Sequence, residues 1–163
     1  MGTTSNTVHC IIVPIERTNI VLPNTAVAEV IRFSEPEPIN ESPEWLLGHI
    51  TWQALRVPVL DYACLIGLEI DDHPTGARIM VVKSLLHGEQ LPYIGLVTTG
   101  LPKLVTISAG MLVEDPNLEL TTGLFSEVTV DNQQAMIPDI DHLTQLVAQE
   151  TFAKPKKKAS RAK

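Results

Sequence analysis

Two segments of the chain carry one pattern: RVPVLDYACLI from Arg56 and MIPDIDHLTQL from Met136. Each has an apolar residue, a proline, two further residues, an aspartate, and then a helix-like stretch. Pro58 and Pro138 are 80 positions apart, as are Asp61 and Asp141. A hairpin pattern precedes both, one starting near Val8 and the other near Arg78. The chain therefore reads as two related halves, each a strand meander that ends in a helical turn. The repeated residues are explained by structure. A proline near a strand end removes no ladder bond that the sheet needs. An aspartate at a helix start accepts from exposed N–H groups and complements the helix dipole. The spacing thus predicts Asp61 and Asp141 as caps rather than as a catalytic carboxylate pair.

Turn signals divide the remainder into short strands. VHCIIVPI (8–15), a polar turn at 16–19 and IVLP (20–23) form a first hairpin. AVAEVIRF (26–33) follows, then the Pro- and acid-rich loop 34–44, WLLGHITW (45–52) and LRVPVLD (55–61). LEIDDHPTGA is a turn-rich connector. RIMVVKSLL (78–86), a turn at 87–90 and LPYIGLVTT (91–99) make a second hairpin, which LPKLVTIS (101–108) continues. After the loop-like 111–124, FSEVTV (125–130) and QAMIPDID (134–141) make a third. HLTQLVAQETFA (142–153) has the apolar spacing of a surface helix. Many short strands with few helices predict an all-β architecture.

Charge and composition exclude several functions. Six of the twelve basic residues lie in the last ten positions, KPKKKASRAK. The rest of the chain has 6 basic against 19 acidic residues, a net −13. A body that acidic repels phosphate backbones and anionic lipid. Aromatics at 4% give no stacking platform for single-stranded nucleic acid. The basic tail, 154–163, reads as a solvated, disordered extension. Its rival role, binding nucleic acid or a membrane surface, would be strongly salt-dependent. No secretion signal is visible, and no apolar run approaches a membrane-spanning length. Cys10 and Cys64 read as two buried thiols of a reducing compartment.

The chemistry-bearing residues do not converge. The histidines at 9, 49, 73, 87 and 142 show no metal-ligand spacing with cysteine or with each other. There is no nucleophile elbow, P-loop or dinucleotide fingerprint. No catalytic, metal or cofactor site is predicted. What remains is surface. Trp45 and Trp52 flank a strand near Gly48, as core fillers or as interface anchors. Two lobes side by side must leave a groove, a natural place for a partner helix.

In combination the segments resemble the CheW family of bacterial chemosensory adaptors. AVAEVIRF, the proline-containing loop and SPEWLLGHITWQALRVPVLDYACLIGL resemble the family's central segment. RIMVV, LPYIGLVTTGLPKLVTI and GLFSEVTVDNQQAMIPDIDHLTQLV resemble its second hairpin, closing strands and helix. The resemblance covers about residues 8–148 and implies two SH3-like β-barrel subdomains. Within a domain of 1–153 these are expected at about 24–77 with the C-terminal helix, and at 8–23 with 78–141. It implies no enzyme activity and no cofactor. It also implies a cytoplasmic adaptor in receptor arrays at the inner membrane. Its partners would be the helical tip of a chemoreceptor (a methyl-accepting chemotaxis protein), the regulatory domain of a CheA-type histidine kinase, and other members of the family. Contact with the membrane would be indirect, through receptors, and nucleic acid is not a partner.

Matched residue by residue, Val27, Glu29 and Val30 resemble the family's groove-side strand. Gly48 and Ile50 resemble the strand before its central turn. That turn is usually Asn-Leu-Arg-Gly; here it is Thr51-Trp52-Gln53-Ala54. Gln53 lacks the charge and fork of arginine, Ala54 is a poor residue for φ > 0, and Arg56 is the nearby cation that could substitute. These departures resemble an accessory adaptor of the kind serving type IV pilus twitching. The alternative is a small-molecule sensor or enzyme that uses an interlobe pocket.

Overall fold

In the computed structural model, residues 7–68, 76–84, 90–108, 125–130 and 132–152 are described. The loop 111–124, the basic tail and most of the connector after Leu68 and of the turn at 87–90 lie outside them. Among the described residues there are ten strands and two α-helices. They are β1 (Thr7–Ile15), β2 (Thr18–Pro23), β3 (Val27–Arg32), β4 (Leu46–Trp52), β5 (Leu55–Leu60), α1 (Tyr62–Leu65), β6 (Arg78–Lys83), β7 (Tyr93–Thr98), β8 (Lys103–Ser108), β9 (Phe125–Val130), β10 (Gln133–Pro138) and α2 (Ile140–Phe152).

The strands form two five-stranded sheets, ordered β8-β1-β2-β10-β9 and β3-β6-β7-β5-β4. Both orders have one plan: an edge strand, a hairpin, a parallel step and a second hairpin. The parallel step joins Ile20 to Met136 in one sheet, and Val59 and Leu60 to Gly95 and Leu96 in the other. The repeat is therefore real, but its halves exchange hairpins. The first half gives β1–β2 to one sheet and β3–β5 to the other. The second half gives β6–β7 to the sheet of β3–β5 and β8–β10 to that of β1–β2. The hairpin 78–98 thus pairs with residues 27–60 and not, as expected, with 8–23.

The apolar residues divide by the two-residue period of a strand. Cys10, Ile12, Val21, Ile107, Val128 and Ala135 fill the interior of the first lobe. Ile50, Trp52, Val57, Val59, Ile79, Val81 and Val97 fill the second. The alternate positions, among them Val13, Ile15, Ile20, Leu22, Leu60, Met80, Val82, Ile94 and Leu96, meet in a shared core between lobes. Leu143 and Val147 of α2 enter it as well. Strands buried on both faces read as unbroken apolar runs, which is why β6 is Ile-Met-Val-Val at 79–82.

The repeated Pro–Asp pattern holds in one half only. Pro58 sits just before parallel pairing with β7 begins at Val59. Asp61, 3% exposed, caps α1 by accepting from the Cys64 N–H at 3.1 Å. In the second half the cap is Asp139, whose carboxylate accepts from the His142 N–H at 3.1 Å. Asp141 lies inside the first turn of α2. The helix starts at Ile140, two residues earlier than the periodicity predicts, because Asp139 directly after Pro138 satisfies the open end. Cys10 is buried, as expected, but Cys64 is only half-buried; burial pushes both thiols up.

Candidate partner-binding surfaces

The second lobe closes on itself through residues named from the sequence. Its edges are β3 and β4. The Trp52 indole N–H donates to Glu29 Oε1 at 2.9 Å, tying β4 to β3. Trp52 is buried and meets Tyr93 edge-on, with ring centroids 4.8 Å apart. Beyond β3 the chain crosses to β4, where Glu37 and His49 exchange backbone hydrogen bonds of 2.8 and 2.9 Å. Arg56 fastens the same place. Its Nη1 lies 3.2 Å from Glu37 Oε1, and its Nη2 donates to His49 Nδ1 at 3.1 Å.

That contact requires an unprotonated Nδ1. Burial first, and the Arg56 charge second, hold the His49 pKa below its ordinary value, against the pull of Glu37. The unfolded chain therefore binds the proton more readily. The contribution of His49 to stability is present above its unfolded value of about 6.5 and is lost as pH falls through the folded value. Urea midpoints at pH 5 and 7 should differ less in His49→Gln than in the wild type. Equal pH dependence in the two proteins would dismiss His49 as the source.

Gly48 has φ +145°, and a Cβ there would run into the Glu37 carbonyl. Its hydrogen atom is what lets the closing segment approach. Ile50 is 7% exposed and packs inside the lobe, where it supports the strand from within. Gln53 and Ala54 both have positive φ, 49° and 65°. This is the twisted two-residue turn that favours Asn-Gly. Ala54 holds that conformation despite its Cβ. Ala54→Gly should therefore stabilise the protein by ~1 kcal/mol, seen as a higher urea midpoint. A lower midpoint would mean that the Ala54 methyl group makes a contact the turn needs.

The seven residues singled out from the sequence do not form one patch. Val27 and Val30, half-buried, rest on the shared core, brought to one face by a bulge between Val27 and Glu29. Glu29 is exposed and held by Trp52. Gly48, Ile50, Gln53 and Arg56 belong to the β4–β5 hairpin.

Between the lobes, where the sequence reading expected a groove, lies a recess of about 310 Å³ lined by residues that reading did not single out. Leu22, Pro23, Ala26, Ile137, Pro138 and Ile140 line it, and Lys83 supplies the cation. Two prolines end strands there, Pro23 in β2 and Pro138 in β10, which leaves a notch before the 3-10 turn Asn24–Ala26. The sequence signal was the Pro23-Asn24-Thr25 interruption, legible as a turn but not as a wall of a groove. Among the described residues no helix is long and apolar enough to cross a membrane, and no group of three or more metal-ligating side chains gathers.

This architecture has known relatives. The chain is similar to the scaffolding protein TtCheW of Thermoanaerobacter tengcongensis, seen in a crystal structure, with a TM-score of 0.76 and 18% identity. The match covers 88% of this chain and 97% of that one, so the two share a fold of two SH3-like subdomains. No curated protein matches the chain. The CheW-like domain family matches residues 9–148, which is most of the sequence. The chain belongs to the CheW-like domain family.

Proposed function

We propose that this protein is a non-enzymatic adaptor of a bacterial chemosensory array, one that couples the helical tips of chemoreceptors to a CheA-type histidine kinase in the cytoplasm. The observation that carries the reading is the apolar recess between the lobes, joined to membership of a family whose solved relative is a scaffolding protein. An amphipathic helix binds by laying apolar anchors into such a groove. The area on offer is small, so single contacts are weak and an array supplies avidity. The replaced turn at Trp52-Gln53-Ala54 favours a specialised pathway, such as one controlling type IV pili, over the flagellar one.

Ala26 is half-buried in the recess wall and not part of a sheet. Ala26→Glu should leave the melting temperature within about 2 °C of wild type and reduce capture of a purified receptor tip at least tenfold, because a larger, charged side chain is placed on an apolar contact. Undiminished capture would move the receptor away from this groove. A small metabolite that raises the melting temperature of wild type, but not of Ala26→Glu, would favour a sensor instead.

A further inference from the structure

The last residue pair of β3 and β6 is Arg32 opposite Arg78. Residues directly opposite in an antiparallel pair point to the same face, and like charges there repel. The chain that makes this pairing has 19 carboxylates, yet neither arginine forms an ion pair among the described residues. Arg56, by contrast, has Glu37. The Nε of Arg78 is also buried and meets no hydrogen-bond acceptor. A buried N–H to a charged group is usually satisfied, and leaving it open is unfavourable. On the other side of Arg78 the strand partner is Thr98, whose hydroxyl donates to the Gly100 carbonyl at 3.4 Å, so it offers no anion.

We propose that Arg32 and Arg78 form a carboxylate-binding fork that receives an acidic side chain of a partner protein. Two guanidiniums on one face present planar donors to both oxygens of a carboxylate. Arg32 is exposed; Arg78 is half-buried with its Nε shut away from solvent, so its terminal Nη groups are the donors offered to a partner. Bringing in an anion relieves the repulsion between the two guanidiniums. Because the body is so acidic elsewhere, this pair is also the local cation that draws an acidic segment to one place. The site stands whether the partner is a receptor, a kinase or neither.

The test follows the Arg78 Nε–Hε resonance of the full-length protein at fixed ionic strength. It is titrated with the peptide acetyl-GEGEGE-amide, its neutral counterpart acetyl-GQGQGQ-amide and inorganic phosphate. The expected result is saturable movement with the acidic peptide only, and about tenfold weaker binding in Arg32→Gln. Arg78→Met should melt at the same temperature as wild type or higher. The proposal is overturned by no movement with the acidic peptide, equal movement with phosphate, affinity unchanged by Arg32→Gln, or a loss of several degrees in Arg78→Met. Movement of the resonance in Asp71→Asn/Asp72→Asn without peptide also overturns it, since the carboxylate would then come from this chain.

Discussion

Gly48→Ala should abolish stable folding of the second lobe, or lower stability by ~3 kcal/mol or more. Two effects act at once. At φ +145° only glycine is unhindered, and the added methyl group would occupy the space of the Glu37 carbonyl. Neither atom can yield cheaply. The Glu37 carbonyl accepts from the His49 N–H in the bridge that closes the barrel, and Gly48 sits at an irregularity in the β4–β5 ladder. Relief would require breaking the bridge, which also separates Arg56 from Glu37. A guanidinium chloride titration of soluble variant protein measures the loss. A midpoint close to wild type would show that the closing segment can be displaced at little cost. Gly48 was singled out from the sequence as a partner contact; the expected effect is on closure, and any effect on binding follows from it.

Leu143→Ala is expected to be the next most damaging change, at about 2–5 kcal/mol, because it leaves a cavity where nothing can collapse. Leu143 and Val147 lie one helical turn apart on α2, and both are fully buried. They fill the shared core alongside residues of both lobes. The loss should appear as one transition, shifted down by roughly 5–15 °C. Trp52 reports the second lobe by fluorescence in a Trp45→Phe background, Trp45 resting on the shared core, and far-UV circular dichroism reports the helix. Coincident curves are expected, since neither lobe keeps its outer apolar face covered without the other. If the helix signal is lost well before the tryptophan signal, the lobes are energetically independent.

The repeat was visible in the sequence because its prolines and aspartates mark strand ends, where local chemistry decides. The hairpins were visible for the same reason. Which sheet each hairpin joins was not. β6 is apolar at four successive positions, so its pattern fits any neighbour that covers both faces, and strand partners distant in sequence leave no local trace. The matching of Asp141 with Asp61 failed because an aspartate nearer to Pro138 was available, and a helix is capped by the first good acceptor that its chain path offers. Ile50 was singled out by its match to the family's strand before the central turn; alternation along β4 turns it inward. The Trp52–Glu29 contact was hidden because it joins opposite edges of the sheet, a relation that exists only once the strands have curled. A groove between lobes was expected, but its lining was hidden for a related reason: its walls are brought together from β2, β6, β10 and α2.

The exchange of hairpins has a consequence for vectorial synthesis on the ribosome. The strands of the second sheet, β3 to β7, are contiguous in the chain and complete once Thr98 has emerged. The first hairpin, although translated earliest, must wait: Thr7 pairs with Ser108, and Ile20 with Met136. During that interval its apolar residues need either a chaperone or a temporary resting place on the finished lobe. A circular permutant that opens between Pro23 and Val27 and joins the old termini would put each lobe in one uninterrupted segment. It should refold faster than the native order, because its strand pairings close shorter loops.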